Sequence, residues 1–246
     1  NTKVGELGSD EDEGEDNLKK NASREGKTAW QVAEFYTAEF LRGMKDLNLE
    51  TPQNLSKATD FIAEQIAIID DLIAKGFTYE TSDGIYFDTA KFPSYADFAG
   101  LDLENLKAGA RVNFNPEKHN LADFALWKWS PQNQKRDMEW DYRGRKGFPG
   151  WHLECSAIAL NTLGETLDIH TGGIDHIPVH HTDEIAQSEC HTGKKFANYW
   201  LHCNHMTSEG RKISKSLENG FTLEDLAQKD FSPLDFKMLV LQSQYQ

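Results

Sequence analysis

The sequence has 246 residues, of which 38% are hydrophobic and 27% charged, as in globular proteins with a sizeable core. Its formal net charge of -14 excludes a surface that grips nucleic acid along its whole extent, although one basic loop remains compatible with such a partner. No apolar run approaches the ~20 residues needed to cross a bilayer. Only three cysteines occur, which favours a reducing cytoplasm over a disulfide framework.

The first part of the chain predicts helices and then strands. Apolar residues recur at helical spacing in residues 27–48 and again in 58–75, where Gly76 ends the pattern. Residues 77–88 then read as a β-hairpin around a turn at 82–84, and 124–129 as a further strand. We expect irregular structure over residues 89–120, and charged, turn-rich sequence fills 130–147.

The part after Pro149 alternates between helices and short apolar strands. Helices are predicted at 151–163 and 180–192, and strands at 166–170 and from 199, with a turn at 171–173. This alternation predicts an α/β fold with a parallel sheet flanked by helices. Residues 77–147 would be an insertion into that unit, dividing it into 1–76 and 148–207, and 208–246 would begin a helical domain.

Three residues in this second part have the types and spacing of a metal site. His180 and Glu184 are four apart, which places them on one face of a helix, and Cys155 supplies a thiolate. A Cys/His/Glu set suits zinc, and three protein ligands with an open position are typical of a catalytic site. His181 can also reach Glu184 at i+3, so the spacing alone leaves open which histidine is the ligand.

Two further features support chemistry in this region. Eight of the nine histidines fall between His152 and His205, and a basic segment, RKISKS, follows at 211–216. A metal beside a basic loop is typical of an enzyme that holds a thiol-bearing ligand next to a polyphosphate.

The chain resembles the cysteinyl-tRNA synthetases, a family of class I aminoacyl-tRNA synthetases, along nearly its whole length. The matching segments are VGEL (4–7), REGK (24–27), SDGIYF (82–87), LKAGAR (106–111), FALWK (124–128), GFPGWHLECS (147–156), DIHTGGIDH (168–176), HHTDEIAQS (180–188), ANYWLH (197–202) and KISKS (212–216). The resemblance implies a Rossmann-like sheet with a connective insertion. It also implies a ligase that uses ATP with magnesium to activate cysteine and charge tRNA(Cys), working as a cytoplasmic monomer.

The resemblance also implies roles for individual residues. Cys155, His180 and Glu184 would be zinc ligands. Lys212 and Lys215, in a KMSKS-type loop with Ile213 for methionine, would be catalytic, with Lys215 on the ATP phosphates.

Four other positions would bind substrates. Gly172 and Gly173 would contact ATP, Trp151 would close on the cysteine side chain, and Asp175 would hold its amino group or the ribose. A core tryptophan and a turn-capping aspartate are the alternatives for Trp151 and Asp175.

Two family features are absent from the sequence. No cysteine precedes Cys155 to supply the family's fourth zinc ligand, and no motif of the histidine-glycine-histidine type is present. We therefore expect a part of a longer protein, without the anticodon-binding region. Two alternatives remain: a cysteine–aminosugar ligase of mycothiol synthesis, which lacks that region altogether, and a non-catalytic paralogue that binds RNA, which would not need the metal and lysine residues.

Overall fold

The helical periodicity at the start of the chain forms two helices. Helix α1 runs over Ala29–Asp46, and α2 over Ile62–Ala74 after a 3-10 turn at Ala58–Phe61. The computed structural model describes residues 26–102, 115–131, 136–208, 211–212 and 220–242, and it confirms both predicted helices. Beyond α2, Gly76 has a φ of 80°, a left-handed conformation that glycine adopts without steric cost.

An antiparallel sheet follows, in the region predicted as an insertion. Its five strands lie in the order β1-β2-β3-β5-β4. They are β1 (Thr78–Glu80), β2 (Gly84–Phe87), β3 (Phe124–Trp129), β4 (Trp140–Tyr142) and β5 (Arg145–Pro149). The predicted hairpin and the strand at 124–129 are confirmed.

The charged, turn-rich segment 130–147 contains β4 and most of β5, two strands that the sequence analysis did not predict. Arg143 and Gly144 join the two strands with φ values of 51° and 77°. Two positive φ values in a two-residue loop match the right-handed twist of a hairpin. The charged residues of these short strands hid the apolar alternation that would have identified them.

The elements that follow β5 form the α/β part of the fold. They are α3 (Leu153–Leu163), β6 (Leu167–Gly173), α4 (Thr182–Thr192) and β7 (Ala197–Cys203). Strands β6 and β7 pair in parallel, as the alternation of helices and strands predicted. The turn predicted at 171–173 was wrong, because Gly172 and Gly173 continue β6 and pair with His202 and Cys203.

One hydrophobic core joins the antiparallel sheet to helices α2, α3 and α4. Trp127 and Phe87 from the sheet are fully buried, as are Leu72 of α2 and Leu153 of α3. Ala186 and Cys190 bring α4 into the same cluster. Burial of this apolar surface holds α3 and α4 side by side.

The chain forms two compact units. Among the residues that the structure describes, the first unit lies within 1–29 and 56–203, and the second within 30–55 and 204–246. The second contains the strands β8 (Thr207–Ser208) and β9 (Arg211–Lys212), and the helices α5 (Leu223–Ala227) and α6 (Pro233–Leu241). The domain boundaries drawn from the sequence remain a prediction. Among the described helices, none combines the length and apolar character needed to span a membrane.

Candidate metal centre

The segment that carries the predicted histidine ligand enters α4 through a wider helical turn than the sequence indicated. Ile177–His181 forms one turn of π-helix, and the α-helix begins only at Thr182. A π-turn contains more residues than an α-turn, so the i,i+4 relation between His180 and Glu184 does not hold along a single α-helix. The predicted helix at 180–192 is therefore confirmed only from Thr182. Such π-turns occur often at functional sites.

Glu184 lies in the first turn of α4 with its side chain facing β6. It is 3% exposed, and its Oε2 accepts a hydrogen bond of 2.6 Å from Nε2 of His170. Burial raises the pKa of the Glu184 carboxyl, and the bond from His170 opposes that rise. A buried carboxylate with one directed partner keeps a fixed orientation, as metal ligands require.

His181 is the second buried group of this cluster. It is 2% exposed, and its Nδ1 lies 2.8 Å from Nε2 of His202. Burial, assisted by the neighbouring imidazoles, lowers the pKa of His181 to about 3. The ring is therefore neutral near neutral pH, which is the form that binds a metal.

His170, His181 and Glu184 together form a possible metal-binding group. Their nearest ligand atoms all lie within 4.8 Å of one another. Two imidazoles and a carboxylate are a donor set found in catalytic zinc sites. The chemistry of these three side chains makes this region a candidate metal centre within the described residues.

Gly172 gives the histidine rings the space they occupy. A Cβ atom at this position would lie 2.5 Å from Cε1 of His181 and 2.8 Å from Nδ1 of His176. Both distances are shorter than van der Waals contact, so only glycine fits without displacing the rings. This requirement explains a glycine inside a strand, where it otherwise costs stability.

The other two predicted ligands are His180, which packs among the histidine rings, and Cys155, which lies in α3. The ring of His180 has its centroid 4.7 Å from that of His176 and 4.4 Å from that of His152. Cys155 is half-buried in the first turn of α3. Glu184 is common to the predicted set and to the observed group, whereas Cys155 and His180 remain predictions.

The predicted substrate-binding residues flank these histidines. Trp151 lies before α3 rather than in it, because His152 adopts a φ of 70° at the helix start. The Trp151 ring centroid is nevertheless 5.7 Å from that of His180. Asp175 is exposed in a 3-10 turn, Ile174–His176, directly after β6. The carboxyl end of a parallel strand is where α/β folds bind ligands.

Comparison with known proteins places this arrangement in a family. Residues 12–246 match the model of the family described as tRNA synthetases class I (C) catalytic domain. The chain belongs to this family. It is 46% identical over 244 residues to a "Cysteine--tRNA ligase" of Treponema denticola, covering 99% of this chain and 50% of that protein. It is also 46% identical over 245 residues to a "Cysteine--tRNA ligase 1" of Burkholderia lata, covering 99% and 52%.

A "Cysteine--tRNA ligase" of Chlorobaculum tepidum is 44% identical over 245 residues, with 99% of this chain and 50% of that protein covered. The chain thus spans about half the length of the curated relatives it matches. Membership in the class I (C) synthetase family confirms the resemblance stated from the sequence.

In this class I synthetase domain, the structure describes Lys212 but not Lys215, the other predicted catalytic lysine. Lys212 lies in β9, where its backbone pairs with Thr207 of β8. Lys215 lies outside the described residues. The catalytic roles of both lysines, and the ATP contacts of Gly172 and Gly173, remain predictions.

Sequence reasoning missed several residues that the fold brings to this site. His170 contacts Glu184 of α4, and His202 contacts His181 of the preceding π-turn. An imidazole inside an apolar strand was the available signal. Tyr95, from the insertion, had no sequence signal at all. Cys203 is exposed at the end of β7.

A second group of possible metal ligands, Asp88, His119 and Asp123, lies near the antiparallel sheet. Asp123 already accepts hydrogen bonds from Tyr79, Thr89 and Asn120. Its carboxylate therefore organises the surrounding loop.

Proposed function

We propose that this chain is part of a cysteine–tRNA ligase. The observation that carries the proposal is the 46% identity to a relative of that name, extending over 99% of the chain. The histidine cluster beside Glu184 adds chemical support, because it gathers zinc-binding side chains against the parallel strands β6 and β7.

The zinc ligands within this chain would be Cys155, His180 and Glu184. His170 would not bind the metal but would fix the orientation of the Glu184 carboxylate through its 2.6 Å hydrogen bond. Ligating carboxylates are commonly held by such a partner. His181, whose Nδ1 lies 2.8 Å from Nε2 of His202, would stabilise the packing of the histidine rings around the site.

The reaction would take place in two steps. The cysteine carboxylate attacks the α-phosphate of ATP, which forms cysteinyl-adenylate and releases pyrophosphate. A terminal ribose hydroxyl of tRNA(Cys) then attacks the carbonyl carbon, which releases AMP. Asp175 would hold the amino group of cysteine, and Gly172 and Gly173 would let ATP approach the backbone closely.

Charge on the phosphates would be neutralised by the basic loop. Lys215 would contact the α- and β-phosphates with magnesium bound to ATP, and Lys212 would assist. Such groups act mainly on the rate, because the charge develops as pyrophosphate leaves.

Selection of cysteine over serine would depend on the metal site. Zinc, when bound, offers a soft position that favours a thiolate over a hydroxyl. A pocket shaped by Trp151 alone would separate these two similarly sized side chains poorly. We place the complete protein in the cytoplasm as a monomer.

Cobalt substitution tests the proposal directly. Cobalt bound at the site should show charge-transfer bands that intensify when cysteine is added and stay nearly unchanged with serine. His180→Ala should remove the cysteine-dependent change, whereas His181→Ala should weaken it less. A cysteine response that survives His180→Ala but is lost in His181→Ala would assign the metal to the observed group with His181. Tight cysteine binding with no spectral change would contradict the metal-based selection.

A further inference from the structure

A buried hydrogen bond from Tyr95 joins the segment predicted as an insertion to the first turn of α4, beside the candidate metal centre. Its hydroxyl donates to Oδ1 of Asp183 over 2.5 Å, although 88 residues separate the two in sequence. Both side chains are almost fully buried, at 5% and 1% exposure. Burial and the adjacent Asp183 raise the pKa of the Tyr95 phenol, so that it remains a donor at all ordinary pH values.

Asp183 also contacts His152, at the start of α3. Its other carboxylate oxygen, Oδ2, lies 3.5 Å from Nε2 of His152. Asp183 directly precedes Glu184 in the first turn of α4, and His152 directly precedes α3. One carboxylate therefore links the insertion, α4 and the start of α3.

His152 is held in a conformation that needs outside support. Its φ of 70° is uncommon for a residue with a side chain, and its ring is 4% exposed. The ring centroid lies 4.4 Å from that of His180 and 5.6 Å from that of Trp151. The ring thus packs directly against the predicted metal ligand and the predicted substrate-binding tryptophan.

We propose that Tyr95 is a positioning residue of the site: through Asp183 it holds His152, and His152 in turn sets the place of His180 and Trp151. The insertion is then part of the machinery that shapes the cysteine pocket. The local ordering follows from the contacts alone, and its effect on cysteine binding rests on the proposed function.

Tyr95→Phe removes only the donor, and Tyr142→Phe is its matched control. Tyr142 is also a buried tyrosine that donates to a carboxylate, Asp70, over 2.7 Å. Both variants lose a phenol-to-carboxylate hydrogen bond, but only Tyr95 connects to His152. A stability loss common to the two is therefore separated from an effect on the site.

Two readouts distinguish the roles. In histidine-labelled protein, long-range nitrogen–proton NMR correlations should show altered ring signals of His152 in Tyr95→Phe and unaltered ones in Tyr142→Phe, with His152→Asn assigning the signal. In ATP–pyrophosphate exchange by the full-length protein, the KM for cysteine should rise about tenfold in Tyr95→Phe, as expected for one lost hydrogen bond to a charged group. The KM for ATP should stay constant.

Asp183→Asn provides a second route that does not depend on the folding of Tyr95→Phe. It retains the oxygen that accepts from Tyr95 and replaces the one that faces His152, so it should shift the same NMR signals. Adding Tyr95→Phe to Asp183→Asn should then change the His152 signals little further, because both act along one path.

Unaltered His152 signals in Tyr95→Phe, or equal effects in the two tyrosine variants, would overturn the proposal. Absence of exchange in every form, the unsubstituted protein included, would refute the proposed function instead. The NMR comparison would in that case decide the positioning role by itself.

Discussion

Replacing Gly172 by alanine tests whether β6 and the histidine cluster are packed as tightly as the structure indicates. The new methyl carbon would lie 2.5 Å from Cε1 of His181 and 2.8 Å from its Nε2. Carbon atoms in ordinary contact lie about 3.5–4.0 Å apart, so the imidazole or the strand must retreat by about 1 Å. Overpacking of this kind costs about 1–3 kcal/mol.

The expected effects are a loss of stability and a loss of metal binding. For a chain of this size, ~2 kcal/mol corresponds to a fall in Tm of about 4–8 °C. Displacement of His181 would also disturb its 2.8 Å contact with His202 and its approach to Glu184. Loss of such support typically lowers metal affinity by about 10–100-fold.

Thermal unfolding with and without chelator, together with a zinc competition titration, would measure both effects. Gly43→Ala is the control, because a Cβ there comes no closer than 3.9 Å to another side chain, Leu223. Gly43 lies inside helix α1, so the same substitution should stabilise the protein by about 1 kcal/mol. Gly172→Ala with unchanged Tm and zinc affinity would refute the packing argument.

Three further changes probe the charges of the site. Glu184→Gln should weaken zinc binding in the same competition titration, because it removes the buried negative ligand but keeps the side-chain volume; unchanged affinity would exclude Glu184 as a ligand. The stability of the metal-free protein should fall as the pH is lowered from 6.5 toward 3. In this range His181 is protonated in the unfolded chain but stays neutral in the folded protein, where its pKa is about 3. Denaturant titrations across this range should show a flatter curve for His181→Gln, and an equal slope would contradict the assignment. Lys215→Ala should slow ATP–pyrophosphate exchange by an amount corresponding to about 2.7–4 kcal/mol with little change in cysteine binding, and an unaltered exchange rate would argue against its role.

Local patterns in the sequence were sufficient for most secondary structure and for the family. The spacing of apolar residues identified α1, α2 and β3, and the alternation of helices and strands identified the parallel pair β6 and β7. These predictions succeed because periodicity reflects which face of an element is buried. The ordered motifs identified the synthetase family, which the family match confirms. The types of metal-binding side chain were also visible, as a cluster of histidines beside Cys155 and Glu184.

The tertiary structure decided which of these side chains meet. The π-turn at Ile177–His181 changed the directions of His180 and His181, and no spacing rule predicts such a turn. His170 reached Glu184 from another strand, and Tyr95 reached Asp183 across 88 residues. Spacing along the chain fixes only the neighbours within a turn of helix or along a strand. Contacts between distant segments depend on how the buried core stacks whole elements, and that packing minimises the exposed apolar surface of the entire unit.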